Sequence, residues 1–168
     1  MRLASSILLL LLVLLLAACQ STAPPYQYRF VRGQTAILTP SGAVVPTTAP
    51  EAVKRMVAAG NRIQGRPYIY GGGHQSFECR GYDCSGTASY LLHAAGLIRS
   101  PMASGEFRHF GEPGPGKWVT IYAKRGHVFT VVAGLRMDTG YNGKGEGPKW
   151  STRERPARGY ILRHPSGL

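Results

Sequence analysis

Between Trp118 and Ala133, two runs rich in β-branched and aromatic residues flank Lys124-Arg125-Gly126: Trp118-Val119-Thr120-Ile121-Tyr122-Ala123 and His127-Val128-Phe129-Thr130-Val131-Val132-Ala133. Such side chains fit a pleated surface and a short glycine-containing turn reverses the chain, so this stretch predicts a β-hairpin. After Gly134, Leu135 to Asp138 reads as a third strand, and Gly159 to Arg163 as a closing one. The segments upstream read differently. Pro50 to Gln64 places Val53, Met56, Val57, Gly60 and Ile63 at spacings of three and four, with Pro50 suited to a first turn and Gly65 to a helix end. A second helix is predicted from Asp83 to Ala95, closed by Gly96. Two helices followed by antiparallel strands, without βαβ alternation, predict an α+β domain.

The second helix starts inside Gly81-Tyr82-Asp83-Cys84-Ser85-Gly86, where a polar, glycine-rich loop passes into an apolar stretch. Asp83 suits the N-cap, which puts Cys84 in the first turn, among unpaired N–H groups and the positive end of the helix dipole. That environment favours a thiolate over a thiol and makes Cys84 a candidate nucleophile. A small buried cysteine closing the helix onto a sheet would give the same local pattern, so the choice depends on whether a base is available.

Histidine can hold a thiolate and later protonate a leaving amine near neutral pH. Of five histidines, His93 falls more than two helical turns beyond Cys84, and His109 and His164 lie in loop or terminal segments. His74, within Gly71-Gly72-Gly73-His74, is near Cys84 in sequence but sits on a glycine loop, a poor holder for a base. His127 opens an apolar strand, where backbone pairing fixes its position. An antiparallel return through Gly134 brings Asp138 back beside the start of that strand, where it can orient the imidazole; it can equally serve only to end the strand before Thr139-Gly140. Two usable cysteines and scattered histidines give no zinc spacing, and no cofactor is implied.

The chain has 168 residues and a net charge of +12. Its first residues run Met1-Arg2, then apolar from Ile7 to Ala18, then Cys19, in the order of a secretory signal and too short to span a membrane as an ordinary helix. Leu16-Ala17-Ala18-Cys19 resembles the lipobox of bacterial lipoproteins, which implies removal of residues 1–18 and acylation, such as palmitoylation, of Cys19. Gln20 resembles an outer-membrane sorting signal, implying a periplasmic protein anchored in that membrane. The Ser, Thr, Ala, Pro and Gly content of residues 19–49 reads as a tether, with short strands at Tyr26–Val31 and Thr35–Leu38, leaving residues 50–168 as one domain. Outside the cytosol, so basic a chain has wall-peptide carboxylates, anionic headgroups and lipopolysaccharide as its natural anionic partners rather than nucleic acid. Its cations are scattered, without the interleaved aromatics of a nucleic-acid surface.

Arg66-Pro67-Tyr68-Ile69-Tyr70-Gly71-Gly72-Gly73, Tyr82-Asp83-Cys84-Ser85-Gly86 and Gly126-His127-Val128 together resemble the NlpC-type family of bacterial cell-wall cysteine peptidases. The resemblance spans about Val53 to Asp138. It implies a papain-like α+β fold, with helices on an antiparallel sheet and the nucleophile at a helix N-terminus. It also implies endopeptidase cleavage of peptidoglycan stem peptides, typically between D-glutamate and the diamino acid, through a thioester acyl-enzyme. Carried over residue by residue, Cys84 is the nucleophile, His127 the base and Asp138 the orienting residue. Tyr68, Asp83 and Ser85 match positions around the substrate amine and the reaction centre. Two features depart from the pattern. The orienting position is usually histidine, asparagine or glutamine, and here it is Asp138, one residue nearer His127. Cys79, five residues before Cys84, either closes a small disulfide loop over the nucleophile or is an inert thiol. The same Cys–His pair also fits a peptidoglycan amidase or a papain-like acyltransferase, and a non-catalytic wall-binding lipoprotein is the alternative without chemistry. Whether a partner regulates the protein is left open.

Overall fold

A computed structural model describes residues 23–141 and 145–168. The expected signal segment and Cys19 lie outside the described residues. Two short strands, β1 (Ile37–Thr39) and β2 (Gly42–Val44), pair as a hairpin ahead of two helices, α1 (Glu51–Ile63) and α2 (Cys84–Ala94). A 3-10 turn at Glu106–His109 leads to six strands among the described residues: β3 (Glu112–Pro113), β4 (Val119–Lys124), β5 (His127–Val132), β6 (Leu135–Asp138), β7 (Lys149–Ser151) and β8 (Ile161–His164). These form one antiparallel sheet in the order β3-β8-β4-β5-β6-β7. The architecture is the expected papain-like α+β arrangement.

The β4–β5 hairpin forms in the predicted place, with Lys124 opposite His127 and Val119 opposite Val132. Gly126 takes φ +83° at the turn, a conformation open to glycine without steric cost. The next turn uses Ala133 and Gly134, both at positive φ, in the manner of a tight primed hairpin turn. Its register, with Val132 opposite Leu135 and Thr130 opposite Met137, carries Asp138 back toward the start of β5.

Helix α1 has Glu51 in its first turn and Arg62 in its last, matching the macrodipole, and buries Val53, Met56, Val57, Ala59, Gly60 and Ile63. Its contact with the sheet edge requires Gly60. A Cβ there would stand 2.3 Å from Trp150 Cζ2 of β7. The neighbouring Asn61 accepts from Trp150 Nε1 at 2.9 Å and exchanges two hydrogen bonds with the backbone of Ala43, locking β2 and β7 to one helix end. Helix α2 is buried from Ser85 through Leu92, packing on both α1 and the sheet, and stops at Gly96 as predicted, at φ +77°.

The fold departs from expectation in three places. Strand β7 lies within a stretch, 139–157, that reads as loop, because three residues between glycine- and proline-rich flanks carry almost no periodicity. The closing strand β8 does not extend the meander but inserts between β3 and β4, a long-range pairing with no local signal. Residues 26–49, which read as tether, pack on the domain. Tyr26, Ala36, Ala43 and Ala49 are buried, the Tyr26 backbone pairs with Arg155, and Ala36 N–H donates to Ala133 at 2.7 Å. Tyr26–Val31 makes that single bridge rather than a strand.

Candidate active site

Three chain ends converge at the site: Cys84 is the first residue of α2, His127 the first of β5 and Asp138 the last of β6. Asp83 caps the helix as predicted, its carboxylate accepting from Gly86 N–H at 2.7 Å. The glycine loop lies directly on that first turn. A Cβ at Gly86 would meet Gly72 O at 1.9 Å, and Tyr68 pairs with Tyr82 across a parallel bridge. Cys84 thus sits at a helix start whose neighbour must be glycine, with Tyr68 held beside it.

His127 Nε2 lies 2.8 Å from Asp138 Oδ1, and the ring also interacts with the Cys84 side chain. With Nε2 committed to Asp138, Nδ1 is the ring nitrogen left to serve the sulfur. Burial of the ring disfavours its charged form, but hydrogen bonds and charge from Asp138 and Cys84 outweigh this, and its pKa is raised from 6.5 to about 9. At neutral pH the ring is an imidazolium.

Asp138 is 5% exposed and its two oxygens are fully engaged. Oδ1 also accepts from Thr139 N–H at 2.8 Å, while Oδ2 accepts from Arg136 Nη1 at 2.5 Å and lies 3.1 Å from Arg155 Nε. Arg136 is completely buried. Desolvation pushes its pKa down, which the charge and hydrogen bond of Asp138 oppose. Tyr141 lies under both guanidiniums, with the Arg136 and Arg155 Cζ atoms 4.7 Å and 4.1 Å from its ring centroid. Tyr26, from the N-terminal segment, stacks on Arg136 at 5.7 Å and donates its hydroxyl to Gly134 O at 3.0 Å. The pair Arg136 and Arg155 is absent from the sequence reading, although the alternation of Leu135-Arg136-Met137-Asp138 places Arg136 and Asp138 on one face of β6.

Two cavities flank the Cys84–His127 pair, sharing Tyr68 and Gly126. The one on the Cys84 side, about 330 Å³, is bordered by Tyr70, His74, Asp83, Ser85 and Ser104. The one on the His127 side, about 450 Å³, is bordered by Lys124, Arg125, Arg155, Thr139 and Tyr160. Burial pushes the Tyr68 hydroxyl pKa up, and Cys84 and Asp83 add to the effect. Asp83 and Ser85 do stand beside Cys84, but both are already bonded. His74 Nε2 lies 3.2 Å from Asp83 Oδ1 and 3.1 Å from Ser85 Oγ, and Gly71 N–H donates to Asp83 Oδ2 at 3.0 Å. His74 therefore belongs to the Asp83 cluster, while His127 faces the sulfur. Cys79 and Cys84 are both free thiols, and Cys79 Sγ donates to Gly81 O at 2.8 Å.

No protein-family model matches the sequence, and no curated protein sequence does. The fold is nevertheless shared with solved structures. The peptidoglycan hydrolase RipB from Mycobacterium tuberculosis aligns with a TM-score of 0.53 at 18% identity, over 69% of this chain and 68% of that one. RipD from the same organism, described as a non-catalytic NlpC/p60 domain protein adapted to peptidoglycan binding, aligns at 0.51 and 18%, over 69% of this chain and 98% of that one. A cysteine variant of the resuscitation-promoting-factor interacting protein RipA aligns at 0.50 and 22%, over 77% and 72%. At these identities the likeness is one of fold, and the chain has the fold of NlpC/p60 domain proteins.

Proposed function

We infer that this protein is a peptidoglycan endopeptidase that cleaves stem-peptide bonds by cysteine catalysis. The observation that carries the reading is the convergence of Cys84, His127 and Asp138, with His127 hydrogen-bonded to Asp138 and interacting with the Cys84 side chain. The Cys84 sulfur attacks the scissile carbonyl, and the N–H groups at the start of α2 receive the developing oxyanion. The imidazolium Nδ1–H gives its proton to the departing amine as the C–N bond breaks, leaving a thioester on Cys84 and a neutral ring. That ring then takes a proton from water, which attacks the thioester and frees the acid product. Asp138 holds the ring in position and stabilises its charged form throughout.

The likeness to RipD favours a second reading, in which the domain binds the wall without cutting it. The two separate on muropeptide analysis. The endopeptidase reading predicts new peptide termini after incubation with purified sacculi, with fragment masses reporting the bond cut; an amidase would instead release peptide from glycan, and a binder would leave the sacculus intact. The reading further includes attachment to the outer membrane through Cys19, which labelling with radioactive palmitate tests. Replacing Cys19 by Ser should abolish the label, and persistent labelling would refute that site.

A further inference from the structure

Five of the seven large apolar side chains that lie exposed among the described residues belong to one short stretch: Phe30, Val31, Ile37, Leu38 and Val44. The fold gathers them. Register sets Ile37 opposite Val44 at the open end of the β1–β2 ribbon, so both project from one face. Phe30 and Val31 lead into a turn closed by Gln34 N–H and Thr35 N–H, which both donate to Val31 O at 3.0 Å. The Thr48 hydroxyl, shortly beyond β2, donates to Gly33 O and ties that turn to the same end of the ribbon. Arg29 and Arg32 flank Phe30-Val31, and both are exposed. The sequence holds no acidic residue between Gln20 and Pro50, and neither arginine meets a carboxylate among the described residues. An apolar patch fringed by uncompensated cations suits the interface of an anionic bilayer, where apolar side chains enter the headgroup layer and guanidiniums meet phosphate.

The chain upstream brings the bilayer within reach. Ala23 N–H donates to Tyr160 O at 3.3 Å and Tyr26 pairs with Arg155, so the domain grips the chain only four residues after Cys19. Four residues span at most about 14 Å. A chain acylated at Cys19 therefore carries its folded domain close to the headgroups, and so short a tether raises the local concentration of even a weak contact. We propose that the face formed by Phe30, Val31, Ile37 and Val44 docks on the anionic leaflet that holds the acyl chains. This rests on the Cys19 anchor for the nearness of the membrane, whereas the face is read without it. Docking also sets the direction of the cleft. Ala36 N–H donates to Ala133 O at 2.7 Å and Thr35 lies against Gly134. The docking segment thus sits at the far end of β5 from His127, about 16 Å along the strand, which keeps the Cys84–His127 pair off the lipid surface.

The test uses protein purified as the cell processes it, with acylation read from its intact mass, in vesicles of phosphatidylethanolamine and phosphatidylglycerol with or without brominated acyl chains. Wild type sets the baseline, because Trp118 and Trp150 are buried. In Phe30→Trp, brominated lipid should quench about half or more of the added emission, while Tyr70→Trp, at the cleft, should be spared. Adding Arg29→Glu and Arg32→Glu to Phe30→Trp should cut the quenching about twofold or more, as should high salt on the unaltered arginines. Phe30→Trp emission that ignores brominated lipid would overturn the docking face, and an acyl mass on that same protein would leave the anchor standing. Quenching of a protein without the acyl mass would support the face and refute the anchor. Equal quenching of Phe30→Trp and Tyr70→Trp would mean adsorption without orientation and overturn the proposal. So would an emission shift that follows protein concentration instead of lipid, which would assign the face to a second copy of the chain.

Discussion

His127 Nε2 and Asp138 Oδ1 stand 2.8 Å apart, and the same carboxylate is gripped from its other side by the completely buried Arg136. Asp138 thus serves two structures at once: it orients the imidazole that faces Cys84, and it neutralises a guanidinium that has no access to water.

These two services are separable by substitution. Asp138→Asn removes the charge opposite Arg136 and should lower stability by about 3–5 kcal/mol, as expected for a broken buried ion pair. Adding Arg136→Met should recover much of that loss. Activity on sacculi should remain about 100-fold or more below wild type in the double variant, because the imidazole has lost its anionic partner. Denaturant midpoints and initial rates measured together check this; recovery of both would make Asp138 purely structural.

The raised pKa of His127 makes stability depend on pH with a definite sign. The unfolded imidazole titrates near 6.5 and the folded one near about 9, so the proton binds the folded state more tightly. The stabilisation is complete below pH 6.5 and disappears as pH rises through 9. Wild type should therefore lose about 2 kcal/mol across this window relative to His127→Gln, a magnitude discounted for the partly exposed ring. Urea melts at pH 6, 7.5 and 9 measure it, and parallel curves for the two proteins would contradict the assignment.

Because Cys84 contributes to that shift, Cys84→Ala should move the His127 pKa below its wild-type value. NMR titration of the His127 ring reads this directly. An unchanged midpoint would mean that the sulfur does not face the imidazole.

Gly86 and Gly105 make a matched pair for testing the packing beneath Cys84. A methyl group at Gly86 would collide with the Gly72 carbonyl at 1.9 Å, whereas nothing lies within 4 Å of the same position at Gly105, which has φ −67°. Gly86→Ala should cost about 2–3 kcal/mol and displace the loop bearing Tyr68, while Gly105→Ala should change stability by less than about 0.5 kcal/mol. Thermal melts of both variants decide the point.

Tyr26 tests whether the N-terminal segment belongs to the folded domain. Its ring is buried on Arg136 and its hydroxyl reaches Gly134 O. Tyr26→Phe should cost about 1 kcal/mol through the lost hydrogen bond, and Tyr26→Ala about 3–5 kcal/mol through the lost ring. Limited proteolysis should cut between residues 26 and 49 faster in the alanine variant. Cleavage there at the same rate in wild type would restore the tether.

The parts legible in the sequence were those governed by local chemistry. The β4–β5 hairpin follows from its β-branched runs, α2 from its Asp83 cap and closing Gly96, and the meeting of His127 with Asp138 from antiparallel return through Gly134. What escaped depends on distant partners. Strand β8 finds β4 across some forty residues of sequence. Composition describes residues 26–49 as a linker because serine, threonine, alanine, proline and glycine make up half of it, yet a few apolar side chains and a backbone bridge to Arg155 suffice to hold it down. The meeting of Arg136 and Arg155 also escaped, since a one-dimensional pattern gives no sign that they converge on a buried carboxylate. His74 was recognisable only as a histidine near Cys84, and its engagement with Asp83 and Ser85 depends on how the glycine loop folds over α2.

The central claim is that Cys84 is the nucleophile of a wall hydrolase, and the measurement that tests it most directly is digestion of purified sacculi by wild-type and Cys84→Ala protein at matched concentration. Wild type should release soluble muropeptides with new peptide termini, and the variant, folded and still binding sacculi, should release them at least about 1,000-fold more slowly. Digestion by the variant at the wild-type rate, or binding without cleavage by both proteins, would contradict it.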